Sequence, residues 1–196
     1  MTELSLFPLS VALLPYGRMP LQVFEQRYLE LVKTSMRSGD GFGIVRIERG
    51  AEVAPSGLPT LAALGSVATI VDWDQLDNGL LGITVQGGRR FRPFNLWRED
   101  NGLIRAEAEL LPELGKVAMI EAWEPMRTVL QGLQAHPHVE RIGLPIDFDD
   151  AWQVAFSLIQ FLPIEEDLKV EMLGQESVEA VMRELDLILN ALAGED

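Results

Sequence analysis

The stretch Leu4-Ser5-Leu6-Phe7-Pro8-Leu9, followed by Leu14-Pro15-Tyr16-Gly17-Arg18-Met19-Pro20-Leu21 and then Phe24-Glu25-Gln26-Arg27-Tyr28, sets the reading of the whole chain. Its first run is short and apolar and stops at a proline-bounded turn, which reads as a strand and a tight connection. Phe24, Tyr28, Leu31 and Val32 then recur at helical spacing, and Ser38-Gly39 ends the segment, so an early helix is predicted.

Outward from this block the pattern turns to strands. Phe42-Gly43-Ile44-Val45-Arg46-Ile47 is a β-branched run after a glycine-rich turn, and Val67-Ala68-Thr69-Ile70-Val71 is another, opened by Gly65. Asp77-Asn78-Gly79 is a turn signal, so residues 67–73 and 80–86 should form a hairpin. In the second arm Leu81, Ile83 and Val85 alternate with Gly82, Thr84 and Gln86, the period of a half-buried strand. A further hairpin is predicted for residues 91–97 and 103–111 across Glu99-Asp100-Asn101-Gly102. Gly87-Gly88 lies between two of these strands and marks a bulge or sharp bend, as a small curved barrel requires. Residues 50–64 have loop composition and are expected to form a mobile insertion.

From about residue 116 the period becomes helical. The first candidate helix covers 117–133, stopped by His136-Pro137. A second is capped by Asp149 or Asp150 and presents Trp152, Ala155, Phe156, Ile159 and Leu162 on one face, with Pro163 closing it. A third opens at Glu165-Glu166-Asp167, where acid suits the helix dipole, and ends at Gly174. The last is capped by Ser177 and carries the stripe Val178, Val181, Met182, Leu185, Ile188, Leu189 and Leu192.

The chain has 196 residues, 47% of them hydrophobic, enough for one large domain or two small subdomains. With no cysteine, disulfides, thiolate metal sites and cysteine nucleophiles are excluded, which suits a cytoplasmic location. Met1-Thr2-Glu3-Leu4 lacks a positive n-region, so no secretory signal is read, and no apolar run reaches the ~18 residues of a membrane span. The net charge is −14, with 12 basic and 14 acidic residues in 1–118 against 4 and 16 in 119–196. Such a surface argues against nucleic acid and anionic membranes as partners.

Three separate motifs, in order, resemble the amino-terminal, substrate-binding domain of the Lon proteases. They are the opening block with Phe7-Pro8-Leu9, Pro20-Leu21 and Phe24-Glu25-Gln26-Arg27-Tyr28, then Gly65-Ser66-Val67, then Gly87-Gly88-Arg89-Arg90-Phe91. Leu162-Pro163 also matches the position before the family's penultimate helix. The resemblance implies a structural role for Phe24, Glu25, Arg27, Tyr28, Gly87, Arg90 and Phe91. It also implies an α+β fold: a small, curved, mostly antiparallel pseudo-barrel (PUA-like) over 1–115, then an α-helical bundle over 116–196. A groove between the two is the expected ligand position.

Chemistry finds little support. The only Gly-Lys, Gly115-Lys116, has Leu110 where a phosphate-binding loop needs glycine. The family's ATPase and Ser–Lys protease follow this domain, and the chain ends before either, so a free-standing version is expected. His136 and His138 with Glu140 could hold a metal but fit a solvated turn better. Asp147, Asp149 and Asp150 lack the glycine and terminal glutamate of a calcium loop and read as a capping cluster. No Gly-x-Ser-x-Gly elbow occurs. The expectation is therefore a non-enzymatic, proteolysis-related binding module that needs no cofactor. It would hold unfolded or disordered polypeptide, or a protein partner, as an adaptor or regulator, and homo-oligomerisation is left open. Tyr16, Met19, Trp73 and Trp97 are the candidate peptide contacts, since aromatic and methionine side chains at loops and strand ends offer adaptable apolar surface. One alternative is an RNA-binding PUA-like module using Arg89, Arg90, Arg92 and Arg98 interleaved with Phe91, Phe94 and Trp97. Against it stands a strand with one face in the core and its arginines on the other. A small-molecule sensor is the other alternative.

Overall fold

The computed structural model describes residues 2–50 and 57–194, which group into two compact units, 1–113 and 114–196. In the first unit six strands form one sheet: β1 (Thr2–Leu9), β2 (Arg18–Val23), β3 (Phe42–Arg49), β4 (Thr60–Gln75), β5 (Leu81–Arg98) and β6 (Ile104–Leu110), with helix α1 (Gln26–Ser38) between β2 and β3. The spatial order is β2-β5-β4-β3-β1-β6, and β5 also pairs with β6. The long β5 thus meets β4 through its first half and β6 through its second, which curls the sheet back on itself. Among the described residues only β1 and β3 run parallel. The fold is α+β with a curved sheet, as the sequence implied, though the curvature stops short of a true barrel.

Both predicted hairpins form. The β4–β5 turn is closed by Gly79, whose φ of +80° lies in the left-handed region that glycine tolerates best. The two strands foreseen on either side of Gly87-Gly88 are one continuous strand. The register moves from Ser66 opposite Arg90 to Ala68 opposite Gly87, so the bulge kinks β5 without ending it. Two further expectations need correcting. Phe24 precedes α1 and is 66% exposed, so the helix buries Tyr28, Leu31 and Val32 without it. Residues 51–56 of the predicted insertion lie outside the described residues, and Thr60 already opens β4. The core packs Phe7 flat against Tyr28, ring centroids 3.9 Å apart, with Phe42, Ile44, Ile83 and Val85 around them.

The second unit is helical: α2 (Glu124–Gln134) after a 3-10 turn (Glu121–Trp123), then α3 (Pro137–Ile142), α4 (Ala151–Phe161), α5 (Glu166–Leu173) and α6 (Val178–Ala193). The first helix begins later than the periodicity suggested. Ala118 forms a bridge with Asp150, and Pro125 occupies the first turn of α2, where its missing N–H costs nothing. Helix α2 ends at Gln134 and Pro137 opens α3, so His138 and Glu140 lie on a short helix, with His136 in the connection before it. Helix α4 buries Val154, Ser157 and Leu158 besides the predicted face, and Trp152 stacks on Phe156 at 5.5 Å. On α6 the apolar stripe is buried through Leu185, and Leu187 and Leu192 are exposed.

The aspartate cluster caps and ties. Asp150, buried, accepts the Trp152 N–H at 3.1 Å and the Val117 N–H at 3.4 Å. Lys116 donates to Asp147, and this contact holds the Asp147 carboxyl below its ordinary range and Lys116 above its own. Arg127 reaches Asp149 at 3.3 Å. Asp150→Ala is expected to remove about 2 kcal/mol of stability, because it uncaps α4 and leaves two backbone donors unmatched. Denaturant unfolding checks this; a loss below about 0.5 kcal/mol would show that the cap is dispensable.

Candidate functional site

Several of the residues that carried the family resemblance fasten the sheet to its turns. The turn after β1 is held to β5 by two backbone bonds, Tyr16 N–H to the Gly87 carbonyl and Gly87 N–H to the Gly17 carbonyl, both 2.8 Å. Ser66 adds a third tie, its Oγ donating to the Leu13 carbonyl at 2.7 Å. The Phe91 ring lies over Gly43 and Gly65, where a Cβ would come within 2.7 and 2.8 Å of its edge. Arg27, 7% exposed, donates through Nε to Glu25 at 2.9 Å and through Nη1 to the Gly102 carbonyl at 2.9 Å, with its guanidinium 4.7 Å from the Tyr28 ring centroid. Arg90 is buried as well.

The four candidate contact residues have different surroundings. Tyr16 is half-buried in the left-handed conformation, φ +65°. Met19 packs partly buried against the core with Leu21. Trp97 is half-buried, with the Arg105 guanidinium 5.6 Å from its ring centroid. Trp73 stands apart. It pairs with the buried Ile83, yet it is 59% exposed, because β4 runs on past the end of its pairing with β3 at Ala68, and its residues 71–75 are all exposed.

Trp73 and Asp72 border two clefts. One, about 350 Å³, lies between residues 69–73 of β4 and the end of α1 with Ser35, Met36, Gly39 and Asp40. The other, about 270 Å³, is walled by Pro20, Leu21 and Gln22 of β2, Gly82, Ile83 and Thr84 of β5, and Asp74 and Leu76. Tyr16, Met19 and Trp97 line neither cleft. The edge of β4 beside the first cleft is open, since pairing with β3 ends at Phe42 opposite Ala68. A register shift between Ile70 and Asp72 makes Val71 the extra residue of a bulge, and it too is exposed. Sequence reasoning missed Met36, Leu21, Val71 and Leu76. The available signal was the run Val71-Asp72-Trp73-Asp74, in which apolar residues alternate with acids at the end of the expected strand.

The arginines of the basic–aromatic stretch are engaged. Arg89 Nε donates to the Leu111 carbonyl at 2.6 Å, Arg92 pairs with Glu109 at 2.9 Å, and Arg98 donates to the Gly102 carbonyl at 3.2 Å. Among the described residues no group of three or more acidic or histidine side chains is placed to hold a metal ion. No helix among them is long and apolar enough to cross a membrane.

A curved sheet fastened by glycine–aromatic and arginine–carbonyl contacts, with an apolar rim exposed near the end of β4, defines a mixed α+β fold. The chain belongs to the family described as the ATP-dependent protease La (LON) substrate-binding domain, whose model matches residues 3–190. Among solved structures it is similar to a Lon N-terminal domain protein from Xanthomonas campestris, with 31% identity and a TM-score of 0.75 over 94% of this chain and 97% of that one. The N-terminal domain of the Mycobacterium avium complex Lon protease shares the fold, with a TM-score of 0.61 at 14% identity over 94% of this chain and 96% of that one. No curated protein matches the chain.

Proposed function

We propose that this chain is a non-catalytic module that binds exposed apolar segments of unfolded polypeptide at the rim around Trp73, and serves as an adaptor or regulator for another factor. The observation that carries the reading is an exposed tryptophan bordering two open clefts whose apolar walls include Met36, Ile70, Leu21 and Ile83. A large apolar side chain held at 59% exposure gains on burial by a ligand what it has not gained on folding. Clefts of this size hold a few side chains, which fits short apolar stretches better than a folded surface. Membership of a substrate-binding family supports the same reading. The basic–aromatic stretch favours no second reading, because its arginines already bond within the sheet.

Trp73→Ala is expected to weaken binding of a permanently unfolded model polypeptide by about tenfold or more, as removal of an anchoring aromatic does. Its thermal midpoint should match that of the parent, since the side chain contributes little to the core. Titration calorimetry on both proteins reads the effect, and equal affinities would refute the placement of the site.

A further inference from the structure

The rim around Trp73 is acidic as well as apolar, and the acids are uncompensated. Asp40 and Asp72 line the cleft beside α1, and Asp72 and Asp74 line the other. All three are exposed, and among the described residues none of them pairs with a lysine or arginine. Elsewhere in this unit some acids do have cationic partners: Glu25 has Arg27, Glu3 and Glu99 share Arg105, and Glu109 has Arg92. Neither cleft is lined by a basic residue. A partly enclosed, low-dielectric wall with one sign of charge draws the opposite sign and repels its own.

The same aspartates also decide how a chain can dock. An open strand edge normally invites another strand to add to it. Here the Trp73 N–H donates to Asp72 Oδ1 at 2.9 Å and the Gln75 N–H donates to Asp74 Oδ1 at 2.7 Å. An incoming backbone would have to displace these contacts, and the Val71 bulge disrupts the regular spacing a ladder needs. A carboxylate retains further acceptor positions after one N–H is bound, so an incoming ammonium or guanidinium group can be accepted without disturbing the edge.

We propose that the rim selects polypeptide segments in which apolar residues alternate with lysine or arginine, and that it reads their side chains and not their backbone. This rests on the polypeptide-binding reading above and adds the chemical class of the segment. The test uses the full chain and three peptides with one apolar pattern, whose alternate positions carry lysine, serine or glutamate. At low salt the lysine peptide should bind about tenfold more tightly than the serine peptide, as two or three exposed charge pairs would give. The glutamate peptide should bind more weakly than either. The lysine advantage should vanish in about 0.5 M salt. It should also vanish in the Asp72→Asn/Asp74→Asn double variant, which retains a side-chain oxygen for each backbone N–H. A lysine peptide N-methylated at alternate backbone positions should bind within about twofold of its parent, where strand addition would lose its ladder bonds. Equal affinity for all three peptides, with Trp73 still required, overturns the charge selection and leaves the apolar site standing. Loss of binding on N-methylation overturns the side-chain mode. Absence of any Trp73-dependent binding, even by the serine peptide, overturns the site itself.

Discussion

Gly87→Ala is expected to destabilise the first unit by about 3 kcal/mol or more, lowering its thermal midpoint by about 6–12 °C. A Cβ at this position would sit 2.1 Å from the Leu14 carbonyl oxygen and 2.9 Å from the Leu14 carbonyl carbon. Both are backbone atoms, so no rotamer change can relieve the clash. The turn containing Leu14 must retreat, yet it is fastened to Gly87 in both directions by the Tyr16 and Gly17 bonds and to Ser66 through Leu13. Retreat therefore strands buried donors and acceptors, and that cost adds to the steric one. Gly88→Ala is the internal control. There the nearest atom to a new Cβ is the Val67 carbonyl oxygen at 3.4 Å, so a loss within about 1 kcal/mol is expected. Thermal unfolding of the two variants gives the comparison, and similar midpoints would show that the turn is not clamped by Gly87.

The contrast between these neighbouring glycines shows what could be read in advance and what could not. A glycine pair between two strand-like runs announces a kink, and the kink is there. Which of the two admits no side chain depends on the approach of a turn some seventy residues earlier, and no local pattern carries that information. The hairpins were legible for a local reason: Asn78-Gly79 and Asn101-Gly102 supply turn residues suited to positive φ at Gly79 and Gly102 between alternating runs. The parallel pairing of β1 with β3 was not legible, because it joins segments across an intervening strand and helix.

The candidate site was read in part, and for the same reason. Trp73 stood out in the sequence as an aromatic next to a polar turn. Its exposure follows from the length of β4, which runs several residues past the end of its pairing with β3 at Ala68. The partners that shape the clefts, Met36 on α1 and Leu21 on β2, are brought in by tertiary packing, and each alone looks like an ordinary core residue. Phe24 errs in the opposite direction: it shares the helical spacing of Tyr28 and Leu31, but the helix begins at Gln26, so the period does not reach it. Periodicity reports which residues would share a face if the segment were helical throughout, and caps decide whether it is.

Arg27→Ala is expected to cost about 3 kcal/mol, and the pattern across related substitutions should separate its charge from its shape. The side chain is nearly enclosed and does three things. It pairs with Glu25 at 2.8 Å, it fills one acceptor position of the Gly102 carbonyl, and it lays its plane over Tyr28, which in turn stacks on Phe7. Truncation leaves the Glu25 carboxylate without its cation, but Glu25 is one-third exposed, so water recovers part of that loss. The Gly102 carbonyl keeps a longer bond from Arg98, at 3.2 Å. What nothing replaces is the planar contact with Tyr28 and the fixed link from the start of α1 to the β5–β6 turn. Arg27→Lys should therefore recover less than half of the stability lost in Arg27→Ala, because an ammonium retains the charge but cannot bond Glu25 and Gly102 together while stacking on a ring. Glu25→Gln should cost less than Arg27→Ala, about 1 kcal/mol, since a partly solvated acceptor remains. If Arg27→Lys proves as stable as the parent, the link acts as a simple ion pair, and the planar fork of the guanidinium is immaterial. If Arg27→Ala and Glu25→Gln lose equal stability, the ion pair carries the whole effect, and the contacts with Gly102 and Tyr28 carry none.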